Sequence, residues 1–328
     1  MVASGTYSVT LVGAPVEHGV NVAGSALGPS ALRTIGLAGA LGRLGRHVID
    51  YGDLMPAAAG SASRPNDDRM LKPSEVARWV TSLSKAAYEL ALGGHVPVFL
   101  GGDHSLAMGT VDGIARACAE NGNELFVLWL DAHPDFNTPA TSPSGNLHGM
   151  SLAFLCGEPG FERVLGVPAR KAIDPDKVFL LGVRSLDAGE DEALRRRGVN
   201  LVNLREIRQG GVAGPIRRIL GTVAEHGGVL HVSLDADFVD PAFIPAVNVP
   251  VPGGVTDTDA CLIMEILKDS GLVGSLDVAE LNPLLDADGR SPRAIAKLVA
   301  CLFDRKSEIC HDYSRRKNRY GHHTAQVH

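Results

Sequence analysis

The chain has 328 residues, 45% hydrophobic and 21% charged, which suits one large α/β domain or two small ones. Its formal net charge of −6 excludes the clustered basic face that a nucleic-acid partner requires. No apolar run reaches the ~18 residues of a membrane span, and five scattered cysteines with no CxxC pair fit reduced thiols in a cytoplasmic protein.

The first residues carry no basic n-region and soon turn polar, so residues 7–14 read as a strand and not as part of a signal peptide. A helix is expected over 29–45, headed by Pro29 and closed by glycine, then a strand over 47–51. Residues 55–72 form a polar loop. A helix at 73–92, a strand at 96–100 and a helix at 105–119 follow. Strand 125–130 leads into a second polar loop, 133–148. Strands at 177–183 and 199–204 precede a helix at 213–226. Strand 229–234 opens a third loop, 239–254, ahead of a helix at 257–269, a strand at 274–278 and a helix at 292–303. Apolar strands joined by helices and covered on both faces make a parallel sheet, with chemistry at its carboxyl ends. No repeat or linker intervenes, so residues 1–307 read as one domain. Residues 308–328, basic around Arg315-Arg316-Lys317, read as a tail that is flexible or used in assembly.

Three strand ends carry chemistry. Gly101-Gly102-Asp103-His104-Ser105 follows the third strand, Asp131-Ala132-His133-Pro134-Asp135 the fourth, and Asp235-Ala236-Asp237 the seventh. In extended backbone, Asp131, His133 and Asp135 share a face, as do Asp235 and Asp237. A lone DxH or DxD is usually a turn or a cap. Four carboxylates and two imidazoles in one crevice would instead repel strongly unless cations neutralised them. Oxygen-rich ligands without thiolate fit Mn²⁺ better than structural zinc. Six ligands suit two ions sharing carboxylates, an arrangement that activates water.

These motifs resemble the arginase (ureohydrolase) family over about residues 9–303. The resemblance also rests on Ser144-Gly145-Asn146-Leu147-His148-Gly149, on Val251-Pro252-Gly253-Gly254 and on Leu276-Asp277-Val278-Ala279-Glu280-Leu281-Asn282-Pro283. It implies a three-layer α/β/α fold with an eight-stranded, mostly parallel sheet. It further implies one manganese on His104, Asp131, Asp135 and Asp235, and a second on Asp131, His133, Asp235 and Asp237. A bridging hydroxide would then hydrolyse L-arginine to L-ornithine and urea. Asp135 would relay a proton, His148 would shuttle protons or act as general acid, and Glu280 would face the guanidinium through two hydrogen bonds. Asn137, Ser142 and Ser144 match readers of the substrate carboxylate, and Asp187 and Glu190 match residues near its amino group. Without the family, Glu280 reads as a surface helix start, His148 as a cap, and the other five as turn residues. The family also implies a homotrimer or homohexamer. A sister enzyme acting on agmatine or guanidinobutyrate, and a non-catalytic metal-binding paralogue, remain alternatives.

Two segments depart from the family pattern. Asn248-Val249-Pro250 stands where GTP or GTT is common, so an isopropyl group replaces a hydroxyl, and Asn replaces Gly as the other residue that tolerates a left-handed turn. Residues 19–24 lack the usual arginine-bearing segment.

Overall fold

The computed structural model describes residues 8–58, 70–167, 173–202 and 204–304. The tail at 308–328 and most of the 55–72 loop lie outside the described residues. Eight strands form one sheet: β1 (Ser8–Ala14), β2 (His47–Asp53), β3 (Val96–Gly101), β4 (Leu125–Leu130), β5 (Val178–Leu181), β6 (Asn200–Val202), β7 (Val229–Asp235) and β8 (Val273–Ala279). Their order is β2-β1-β3-β8-β7-β4-β5-β6, and every pairing is parallel. The sequence expected all eight. What it could not supply is the order, which sets β3, β8, β7 and β4 side by side in the middle.

Eleven α-helices are described. They are α1 (Gly28–Thr34), α2 (Leu37–Arg43), α3 (Pro73–Leu92), α4 (Ala107–Glu120), α5 (Ser151–Leu155), α6 (Phe161–Leu165), α7 (Ala188–Arg197), α8 (Leu204–Gly210), α9 (Ala213–Glu225), α10 (Asp257–Ser270) and α11 (Arg290–Phe303). The helix expected over 29–45 is two, because Gly36 takes a left-handed conformation (φ 83°) between α1 and α2. Helices α5 to α8 were not expected. Their apolar positions are too few for a periodic signal, as in α7, where only Glu190, Ala193 and Leu194 are buried.

Strand alternation divides the interior into two apolar layers. Phe126, Leu128 and Leu130 of β4 pack with α1, α2 and α8 to α11, while Leu125, Val127 and Trp129 pack with α3 to α7. This is the three-layer arrangement. The central strands β7 and β8 break its symmetry. On one face they present Leu230, Val232, Leu234, Leu276 and Val278. On the other they bury His231, Ser233, Asp235, Ser275 and Asp277. A polar face in the middle of a sheet costs stability unless its groups are paired. The pairing includes His231 Nδ1 with Ser275 Oγ at 2.8 Å and Thr110 Oγ1 donating to Asp277 at 2.6 Å.

Candidate metal centre and active site

The site gathers at the carboxyl ends of the four central strands. After β3, Gly102 passes so close to the loop above it that a Cβ would fall 1.7 Å from the Val16 carbonyl oxygen. Asp103 then caps a 3-10 turn, accepting from Ser105 N at 3.0 Å and from Gly19 N at 2.8 Å. The turn delivers His104, fully buried and stacked on Trp129 with ring centroids 4.2 Å apart. Its Nε2 lies 2.8 Å from Ser233 Oγ, which leaves Nδ1 aimed at three carboxylates. Asp131 Oδ2 is 3.0 Å away, and Asp135 Oδ2 and Asp235 Oδ2 are each 3.1 Å away.

A second cluster shares Asp131. His133 Nδ1 lies 2.9 Å from Asp237 Oδ2 and 3.6 Å from Asp131 Oδ1. Trp129 Nε1 and His133 N both donate to Asp131, at 2.9 and 2.7 Å, and Ala132 N donates to Asp237 at 2.9 Å. All six expected ligands are thus brought together, with one correction to the reason. Residues 131–133 are bent and not extended, and Asp135 is left-handed (φ 49°). Asp235 ends β7 and caps the 3-10 turn Ala236–Phe238 that carries Asp237. Turns, not strand alternation, aim all of these side chains except Asp235, which the strand itself presents.

The donor set fits cations. His104 Nδ1 and Asp135 Oδ2 are buried with no hydrogen-bond partner, though four polar atoms crowd around one point. Buried groups left so are costly unless an ion satisfies them. His104, Asp131 and Asp135 form one group able to hold a metal ion, and Asp131, His133 and Asp237 a second. The titration behaviour agrees. Burial, then Asp237 and Asp131, push Asp235 well above the carboxylate range, and burial with Asp131 pushes Asp237 up to about 6. Burial opposes ionisation of Asp131 too, yet His104 and His133 outweigh it and hold that carboxyl low. Protein groups alone leave this cluster short of positive charge.

Glu280 stands just past β8, buried and left-handed (φ 63°), its N–H donating to Gly102 O at 2.7 Å. It is therefore no surface helix start. Oε1 accepts from His104 N at 2.7 Å and pairs with His148 Nδ1 at 2.8 Å, and Oε2 accepts from Asn248 Nδ2 at 3.0 Å. Three of about four lone-pair directions are taken, so the expected two-point contact with a guanidinium needs one protein donor to yield. Burial would lower the His148 value, but Glu280 prevails and raises it to about 9.

A cavity of about 280 Å³ opens on this cluster. Its wall includes His133, Asp135, Asp235, Asp237, His148 and Glu280, and also Asn137, Ser142, Ser144, Asp187, Glu190 and Val249. Loop chemistry ties the second group together. Asn137 Nδ2 donates to Asp187 at 2.9 Å, and Ser142 and Ser144 accept from Gly145 N and Asn146 N at 3.0 and 3.2 Å. Asp187 and Glu190 form the capping box of α7. Both Glu190 oxygens are taken by backbone, Phe136 N and Asp187 N each donating at 3.0 Å. Burial raises the Glu190 carboxyl to about 7. The five residues line the cavity, and Glu190, read from sequence as a turn residue, lies in the first turn of α7.

A match to the Arginase family spans residues 7–304. The chain belongs to the arginase family. It is 48% identical to an arginase of Brucella melitensis over 295 residues, 90% of this chain and 95% of that one. The native arginase structure from Bacillus caldovelox superposes with a TM-score of 0.82 at 34% identity, over 92% of this chain and 99% of the other. An Entamoeba histolytica arginase in complex with L-ornithine superposes at 0.80 with 26% identity, over 91% and 99% of the two chains.

Seen as an arginase-family site, four supporting residues escaped the sequence reading. Ser233 sits two positions before Asp235 on one face of β7, a signal that period-2 alternation does contain, and Trp129 sits near the end of β4, two positions before Asp131. Asp103 lies inside a motif already singled out. Arg184 carried no local signal: its Nε donates to Val251 O at 3.0 Å, and its guanidinium also reaches the Asp237 carbonyl, joining residues far apart in the chain.

Proposed function

We propose that this arginase-family chain hydrolyses L-arginine to L-ornithine and urea with two manganese ions, residues 1–307 acting as one catalytic domain. The observation that carries the reading is the convergence of an unpartnered His104 Nδ1 with the Asp131, Asp135 and Asp235 carboxylates behind a cavity that also exposes Glu280. His104, Asp131, Asp135 and Asp235 would hold one ion, and Asp131, His133, Asp235 and Asp237 the other. Bound there, such ions supply Lewis acidity and make water nucleophilic near neutral pH. The residues of the chain do the rest. Glu280, kept anionic chiefly by His148 and by the His104 N–H, binds and orients the guanidinium. Asp135 passes a proton toward the leaving amine, and His148 exchanges protons with the cavity. Asn137, Ser142 and Ser144 receive the α-carboxylate. Asp187 receives the α-amino group, with Glu190 setting its position through the cap. The L-ornithine bound to the Entamoeba histolytica relative supports a small amino-acid ligand in this fold.

Two further parts of the proposal concern setting. A homotrimer or homohexamer follows from the family, and a cytoplasmic location from the cysteine pattern. No helix among the described residues is long and apolar enough to cross a membrane. Urea release from arginine, agmatine and guanidinobutyrate after manganese loading tests the reading. Arginine is expected to lead. A preference for either other compound would make this a sister ureohydrolase, and no urea from any would make it a non-catalytic binder.

A further inference from the structure

Asn248 falls in the segment that departs from the family pattern, and its backbone does not explain it. Among the described residues only Lys72, Asp135 and Glu280 are non-glycine residues with positive φ, so tolerance of a left-handed turn is not why asparagine stands here. Its side chain does explain it. Asn248 Nδ2 donates to Glu280 Oε2 at 3.0 Å, and its Oδ1 accepts from Asn282 Nδ2 at 2.7 Å.

The direction of that amide is dictated from behind. Asn282 is fully buried, its Nδ2 donates also to Ala23 O at 2.9 Å, and its Oδ1 accepts from Leu284 N at 3.1 Å. A carbonyl acceptor on one side and an N–H donor on the other admit one orientation of the Asn282 amide. Asn248 must then turn its oxygen to Asn282 and its NH₂ to Glu280. The packing behind Asn282 leaves no slack, since a Cβ on Gly24 would lie 2.1 Å from Asn282 Oδ1. A line of amides runs from the loop at residues 23–24 to the one carboxylate oxygen of Glu280 that neither His104 nor His148 holds. Val249, beside it, lines the cavity but has no group to donate.

We propose that Asn248, pinned by Asn282, is a positioning residue for Glu280 in guanidinium recognition. By holding Oε2 it stops the carboxylate rotating about its Oε1 contacts and fixes which lone pair faces the cavity. The proposal rests on the arginine-hydrolysing reading.

The test compares manganese-loaded wild type with Asn248→Ala, Asn248→Asp and Asn282→Ala, on arginine turnover and on inhibition by ornithine, which lacks a guanidinium. Asn248→Ala should lower kcat/KM for arginine by roughly tenfold, within the range for removing an outer hydrogen-bond partner of a site group. Asn248→Asp keeps the size, removes the donor and sets a like charge against Glu280, so it should lose more. Asn282→Ala should show a smaller loss of the same kind. Inhibition by ornithine should stay as in wild type in all three. Unchanged arginine kinetics in Asn248→Ala, or ornithine inhibition weakening in step with turnover, would overturn the proposal, the latter because it reports general loop damage. If wild type releases no urea, the functional reading fails by itself. Calorimetric binding then decides the proposal, which requires Asn248→Ala to weaken arginine and spare ornithine.

Discussion

The metal end and the substrate end of this cavity are built on opposite principles. The metal end hangs from the four central strands, and its groups, buried apart from the half-buried His133, are left unbalanced, with His104 Nδ1 and Asp135 Oδ2 unpartnered and Asp235 and Asp237 forced above the carboxylate range. The substrate end is loop and helix start, and it satisfies itself: Asn137 with Asp187, Ser142 and Ser144 with nearby amides, Glu190 with two backbone donors. One end is incomplete without cations. The other is a stable surface whether or not substrate is present, so it can change with little effect on folding. On the proposed assignment, chemistry is held by the sheet and specificity by the loops.

Mutations at the two ends should differ in kind. The largest effect is expected at Asp131, which both clusters share: Asp131→Ala should abolish urea release and leave less than one ion per chain by elemental analysis. Full metal content in that variant would show the shared-ligand geometry to be irrelevant. Glu280→Gln comes next. It should lower kcat on the order of 10²–10³-fold, as when a group aimed at transition-state charge is removed, with metal content intact. At the substrate end, Asp187→Asn keeps the cap of α7 but loses its charge, so KM should rise about tenfold, near the value of one charge-assisted hydrogen bond, while kcat holds. Equal damage to kcat and KM in the last two variants would erase the distinction between the ends.

The smallest effect concerns stability and sharpens the comparison at its boundary. In chelator-stripped protein, His148 is raised from 6.5 to about 9. The folded chain then binds more protons than the unfolded chain between those values. The His148 contribution is fully present below the lower value and is lost as pH rises through the upper. The difference in melting temperature between wild type and His148→Asn should therefore be larger at pH 6 than at pH 10. A gap that stays constant or widens on raising pH would mean that the Glu280 contact does not hold the proton.

How legible each region was follows from the same contrast. The strands were readable as short apolar runs between helical segments, although β7 and β8 carry a polar face, and the ligand motifs because carboxylates do not collect at apolar strand ends for stability. The order of strands was not readable, since parallel pairing joins segments far apart in the chain, such as β8 with β3. Nor was the aim of Asp135 and Asp237, which depends on turns and one left-handed residue. Helix α7 shows both sides: its Asp187-Glu190 box was present in the sequence, but its charged surface hid the helix behind it. Asn248 was misread most instructively. Its residue type was assigned to backbone tolerance, whereas its partners Glu280 and Asn282 lie 32 and 34 residues away.

The central claim is that two cations complete the buried cluster and that arginine hydrolysis depends on them. Manganese content measured on the same preparation as urea release from arginine tests it most directly, before and after chelation and after manganese is restored. The account expects about two ions per chain in active protein, loss of both ions and activity together, and recovery of both on reloading. An active preparation holding one ion or none, or activity that survives complete removal of metal, would contradict it.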